Sequence, residues 1–207
     1  MEPDAAAEHL QVIRTLMERS ALYRRTLAPI MLYVGSVGTL ASAGGLAFSI
    51  ESLRAFEAWW LAAALIALAG AFLIARRQAL HDGEPFWSPP TRRVTQAMAP
   101  PLAAGFIFSL VTWLTTGPGD LRWLFVVPNA LFYGCAVHAA GFFMPRGMKL
   151  FGWLIIGMTG AALLAVTWVE PIRSSSADHA FMGTLFGLLH LAYGSYLYVT
   201  EPGKRPA

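Results

Sequence analysis

The chain has 207 residues, of which 56% are hydrophobic and only 13% charged, with a net charge of +3. Soluble domains carry about 25% charged residues, so this sequence has too few charges to clothe a water-facing surface, and its mean hydropathy of +0.52 agrees. The small positive charge sits beside apolar stretches, where it would meet anionic headgroups rather than nucleic acid, and a single cysteine, Cys135, excludes an internal disulfide or a thiol relay.

Residues 1–27 open the chain. Ala6, Leu10, Ile13 and Met17 recur at helical spacing on one face, with Glu8, Arg14, Glu18 and Arg25 mostly elsewhere. This pattern predicts an N-terminal amphipathic helix lying along the membrane interface or packed under a bundle. It is too charged to span, and it lacks the apolar core and cleavage site of a secretory signal. Six apolar stretches follow, at about 28–50, 56–75, 98–116, 121–143, 150–169 and 180–200, with a short tail at 201–207. Each is long enough to cross an apolar layer of about 30 Å. The predicted fold class is therefore all-α: a polytopic membrane protein of six transmembrane helices plus the interfacial helix. The first stretch is rich in small residues (Gly35, Ser36, Gly38, Ala41, Ser42, Ala43, Gly44, Gly45 and Ala47), which suits close helix contact. Pro128 predicts a bend in the fourth. The longest connection, 78–97, reads as an ordered turn region because of Gly83, Pro85, Pro89 and Pro90.

Charge fixes an expected orientation. Numbered as spans, the stretches leave Arg14, Arg19, Arg24, Arg25, Arg76, Arg77, Arg92, Arg93, Arg146, Lys149, Lys204 and Arg205 on the N-terminal side, and only Arg54, Arg122 and Arg173 on the other. This is the positive-inside pattern, with both termini cytoplasmic. Tryptophans mark the same boundaries: Trp59, Trp60, Trp113, Trp123 and Trp168 at outer ends, Trp87 and Trp153 at inner ends. They read as interfacial aromatic belts.

Polar side chains within spans are the default functional candidates. Those here are His190, His138, Asn129 and Tyr133, with several hydroxyls. Glu57, Asp120 and Glu170 fall at the outer boundary, so no carboxylate is expected deep in a span, which counts against an ion-coupled carrier. Gly183, Gly187, His190 and Gly194 share one helical face, and His138 lies between Gly134 and Gly141. Either histidine could donate across a helix interface, or the two could ligate a haem iron together. Their depths differ by roughly 9 Å on the predicted spans, whereas haem ligation needs nearly equal depth. Asn129 and Tyr133 are one turn apart and could form a small-ligand pocket, or satisfy the carbonyl that Pro128 leaves free. His81, Asp82 and Glu84 have metal-capable side chains but read as a solvated turn. Zinc-protease, intramembrane serine protease, phospholipid transferase and phosphate-loop motifs are missing, so enzymatic activity is not expected.

Leu16-Met17-Glu18-Arg19-Ser20, Trp87-Ser88-Pro89 with Arg92-Arg93-Val94, and Ala140-Gly141-Phe142-Phe143 leading to Arg146 and Gly152 resemble a group of small, uncharacterised six-helix bacterial integral membrane proteins. The resemblance implies an inner-membrane protein and assigns no site residue. Length, orientation and the small-residue first span, with Ala43 and Ala47 four apart, are also similar to the six-helix substrate-binding subunits of vitamin transporters, although the outer loops here are shorter. The expected function is a non-catalytic inner-membrane accessory subunit or regulator acting through a membrane or cytoplasmic protein partner, with no nucleic acid. A small-molecule binder or transporter near Asn129, Tyr133 and His190 is the second reading, and a haem-binding redox protein through His138 and His190 the third.

Overall fold

The computed structural model describes residues 26–83, 85–115, 122–144, 146–168 and 174–200. Among these the chain forms helices joined by turns, with no strand. The helices are α1 (Thr26–Ala47), α2 (Leu53–His81), α3 (Pro89–Thr115), α4 (Arg122–Ala140), α5 (Arg146–Trp168) and α6 (Ser175–Thr200). All six are long and apolar enough to cross a membrane, and a multi-pass membrane protein follows from that. The amphipathic helix expected over 1–27 lies outside the described residues, apart from the start of α1, as does the 201–207 tail.

Helix boundaries differ from the apolar stretches in an instructive way. α2 runs past Arg76 and Arg77 to His81, and α3 already begins at Pro89. The expected 78–97 turn region is therefore reduced to 82–88. Hydropathy ends where charges begin, but Arg, Gln, Ala and Leu are good helix formers, so backbone structure continues beyond the apolar layer. Pro89 is well suited to a first helical position, where its missing N–H leaves nothing unpaired. Pro100 and Pro101 sit inside α3, and Pro128 inside α4, without ending either helix. At the other end, α1 stops three residues earlier than expected, in a turn where Ser49 takes a positive φ of 49°.

The core has two parts. At the basic end, which carries Arg76, Arg77, Arg92 and Arg93, Leu27 and Met31 of α1 pack with Val137 of α4, Phe151 and Ile155 of α5, and Leu197 of α6. At the opposite end, Ala41 of α1 packs with Phe56, Trp60 and Ala63 of α2, Phe125 of α4 and Met182 of α6. α2 and α3 are peripheral along most of their length. Leu65, Leu68 and Leu73 of α2, and Phe106, Ile107 and Leu114 of α3, face outward. Such a belt of exposed large apolar side chains is what a bilayer would cover.

α1 and α6, the first and last spans, meet along a seam without side-chain thickness. A Cβ on Gly38 would run into the carbonyl of Phe186, and one on Gly187 into Thr39. Gly183 and Gly194 likewise face Ser42 and Leu32. Small residues let backbones approach where lipid supplies no hydrophobic drive between helices. Within this seam α6 widens to a π-helix over Gly183–Leu188, closed by the Leu189 N–H on the Thr184 carbonyl.

The seam makes a direct prediction. Gly38→Leu forces a side chain against backbone and should lower the unfolding midpoint in mild detergent, at a cost on the order of 3 kcal/mol. Gly157→Ala on α5, where an added methyl meets nothing within 4 Å, should be neutral or slightly stabilising. Equal effects at the two positions would contradict the seam.

Candidate functional site

Of the four candidate residues, His190 and Tyr133 are brought together. The Tyr133 hydroxyl lies 2.6 Å from His190 Nε2, and His190 Nδ1 lies 2.9 Å from the carbonyl of Leu185. A carbonyl only accepts, so Nδ1 carries the proton and donates to it. Nε2 is then the acceptor, and the tyrosine hydroxyl donates. The π-helical widening brings the Leu185 carbonyl, five residues back, within reach of the ring. His190 is fully buried. Phe151 meets the ring edge-on at 4.9 Å, and Phe186 lies parallel at 6.3 Å. The pair links α4 to α6 with both imidazole nitrogens committed.

The other two candidates go elsewhere. His138 donates from Nδ1 to the carbonyl of Lys149 on α5, at 3.3 Å, and packs against Phe142 and Trp153. It holds the α4–α5 contact, where Gly152 approaches the His138 backbone. For His138 and His190 to share an iron, His190 would have to give up Tyr133. The Asn129 amide donates to the carbonyl of Phe125 at 2.8 Å, and its oxygen accepts from Ser109 on α3 at 3.1 Å. Pro128 deprives the carbonyl of Leu124 of its usual donor, so Asn129 binds the next carbonyl rather than the freed one. One turn apart, Asn129 faces α3 while Tyr133 faces α6. They do not form one polar spot.

A second polar group, at the end opposite the basic one, is missing from the sequence expectations. His179, at the start of α6, is buried. Its Nδ1 accepts from the Trp60 indole at 3.1 Å, and its Nε2 donates to the Ile50 carbonyl at 3.1 Å. Its own carbonyl accepts from the Ser42 hydroxyl at 2.8 Å, and its ring lies tilted by 48° against Phe56 with centroids 4.6 Å apart. Arg122 pairs through Nε with Asp178 at 3.0 Å and donates from Nη1 to the Glu51 carbonyl. Trp60 is thus an interior hydrogen-bonding residue and not part of an interfacial belt. Trp59 also donates inward, to the Ala41 carbonyl at 2.8 Å. Trp87, Trp113 and Trp153 are exposed as a belt requires.

Glu57 lies near the end of its span, as its position suggests, but it is buried. It is 0% exposed, one turn into α2. Thr112 of α3 donates to its Oε1 at 2.7 Å, while its Oε2 has no hydrogen-bond partner among the described residues. The sequence held a signal for this in phase rather than position: Phe56, Glu57, Trp60 and Ala63 form the buried stripe of α2. Position alone suggested a solvated boundary residue. Asp120 and Glu170 lie outside the described residues.

Among the described residues no group of three or more histidine, cysteine, aspartate or glutamate side chains could hold a metal ion. In the turn cluster, Asp82 is engaged by His81 at 3.1 Å and Gln78 at 2.9 Å, and Glu84 lies outside the described residues. A hollow at the basic end, lined by Leu27, Ile30, Ala75, Ala79, Phe86 and Met144 among others, measures about 80 Å³. Small-molecule sites usually run to roughly 300 Å³ or more. Comparison with family models, curated proteins and solved structures gives no match to this chain.

Tyr133→Phe should leave His190 Nε2 buried without a donor and cost about 1–2 kcal/mol of stability. With His190→Leu in the same chain, the two costs should fall short of additive by about 1 kcal/mol, within the range of hydrogen bonds between membrane helices. Denaturant titration of the two single variants and the double variant in detergent measures this coupling. Strict additivity would contradict the pairing.

Proposed function

We propose that this chain is a non-catalytic protein of a bacterial inner membrane that serves as an accessory subunit or regulator of a membrane complex. Both termini are cytoplasmic in this reading, because twelve of the fifteen Lys and Arg then fall inside. The observation that carries the functional part is that the candidate polar side chains of the bundle interior are already engaged, Glu57 Oε2 excepted. His190, Tyr133, Asn129, Ser109 and His179 spend their hydrogen bonds on one another, on the Trp60 indole or on backbone. A substrate in the bundle would have to displace contacts that are already made. The same holds for small-molecule capture by Asn129, Tyr133 and His190, and for haem ligation by His138 and His190, so both have less support.

Contact with a partner then belongs on the outside. The basic end offers exposed Arg76, Arg77, Arg92, Arg93 and Trp87 around the 82–88 turn. Such a cluster suits an acidic protein surface or anionic headgroups.

Mild-detergent affinity purification followed by native electrophoresis tests the proposal. The wild-type protein should migrate in a stoichiometric complex. Deletion of residues 1–25 should release the partner, and His190→Leu should leave the complex intact while lowering its thermal stability. A wild-type protein that runs free of any partner, together with loss of small-ligand binding in His190→Leu, would overturn it.

A further inference from the structure

Glu57 is the one described buried side chain with an unmet polar atom, and its surroundings are those of a binding site rather than of a structural bond. Its Oε1 accepts from the Thr112 hydroxyl at 2.7 Å, and its Oε2 has no partner. The Thr112 hydroxyl has one proton for two acceptors, because the Ser109 carbonyl lies 2.9 Å from the same oxygen. Ser109 in turn reaches Asn129 Oδ1 at 3.1 Å and the Gly105 carbonyl at 2.9 Å. A line of oxygens therefore runs from α2 through α3 to α4, richer in acceptors than in donors, with a carboxylate at its head.

A bare carboxylate cannot rest there. Burial removes its hydration, and a single hydroxyl leaves most of its acceptor capacity empty. No Lys or Arg forms an ion pair with it among the described residues. Arg54, one turn earlier on α2, is exposed. α3 presents only the hydroxyls of Thr112 and Ser109. On α4, Arg122 is committed to Asp178 and the Glu51 carbonyl. On α6, Asp178 holds that arginine, and both ring nitrogens of His179 are bonded to Trp60 and Ile50. Among the described residues no cation reaches Oε2, and Arg54 acts on the carboxylate only through space from its exposed position.

We propose that Glu57 and Thr112 form a monovalent-cation site that takes either a proton or a sodium ion, the chemistry in both cases being one positive charge shared by a buried carboxylate and a hydroxyl. Occupancy completes the polar tie between α2 and α3. α2 is otherwise held at this end by Trp59 to α1 and by Trp60 to α6. The site therefore makes the seating of α3 on α2 responsive to the cation.

Thermal unfolding of the purified full-length protein in detergent tests this, with NaCl against choline chloride at fixed pH and ionic strength, and a pH series in choline alone. A rise in the wild-type midpoint on the order of 3 °C with Na⁺, absent in Glu57→Gln, supports the site and assigns sodium. The same rise with acid but not with Na⁺, again absent in Glu57→Gln, supports it and assigns the proton. The glutamine comparison removes contributions from His179 and other titrating groups. If Glu57→Gln fails to fold, Thr112→Val serves in its place and should reduce the response by at least half. A wild-type protein indifferent to both cations, or an undiminished response in the variant, overturns the proposal.

Discussion

The contact between α1 and α6 is the constraint on which the rest of the bundle depends. Lipid tails are as apolar as leucine, so helices in a bilayer gain little by hiding greasy surface from one another. What they can gain is dispersion between closely fitted backbones and hydrogen bonds between groups that lipid cannot satisfy. Gly38 and Gly187 allow the first, because nothing larger fits between these helices. Ser42, bonded to the His179 carbonyl, supplies the second along the same seam. Since the seam joins the two ends of the sequence, it closes α1, α4, α5 and α6 around a common interior and leaves α2 and α3 at the edge.

Closure also decides where polar side chains go. With the glycines of α6 held against α1, His190 turns toward Tyr133 of α4 and Phe151 of α5. The π-helical turn sits where the seam and the histidine make competing demands on the same stretch of α6, and the Leu185 carbonyl meets one of them by bonding the ring. At the end opposite the basic one, His179, Trp60, Arg122 and Asp178 tie α1, α2, α4 and α6 together through both side chains and loop carbonyls. Against that background of satisfied groups, the free oxygen of Glu57 stands out. A buried carboxylate with half its capacity unused has a chemical reason to be there that packing does not supply.

Much of this was legible in the sequence. Hydropathy finds six spans because apolar length is a property of each segment by itself, and the small residues of α1 and α6 announce close contact for the same reason. The candidate list of His190, Tyr133, His138 and Asn129 also follows from position, since each lies well inside an apolar run. Pairing does not follow. Asn129 and Tyr133 share a turn yet face different neighbours, and only tertiary placement reveals this. Glu57 and Trp60 read as boundary residues, and His179 falls just before the sixth apolar stretch, because all three lie near span ends, where a charged or aromatic residue is ordinarily wet. Whether such a residue faces water or the bundle depends on the neighbouring helices. α2 extends past its arginines for the complementary reason: charge marks the edge of the apolar layer and not the end of a helix.

The most direct test of this architecture is oxidative cross-linking of cysteines placed at Ser42 and Gly183, in a chain whose exposed Cys135 is replaced by alanine. A Cβ at position 183 would lie 2.4 Å from the Cβ of Ser42, closer than the roughly 3.5–4.5 Å of a disulfide, so the bond forms only as the two helices part by about 1 Å. The account predicts rapid formation of an intramolecular bond in native membranes, seen as a monomer of altered mobility that reduction restores. Cysteines that stay reduced and freely alkylated, or that link only between chains, would contradict the seam and with it the arrangement of the bundle.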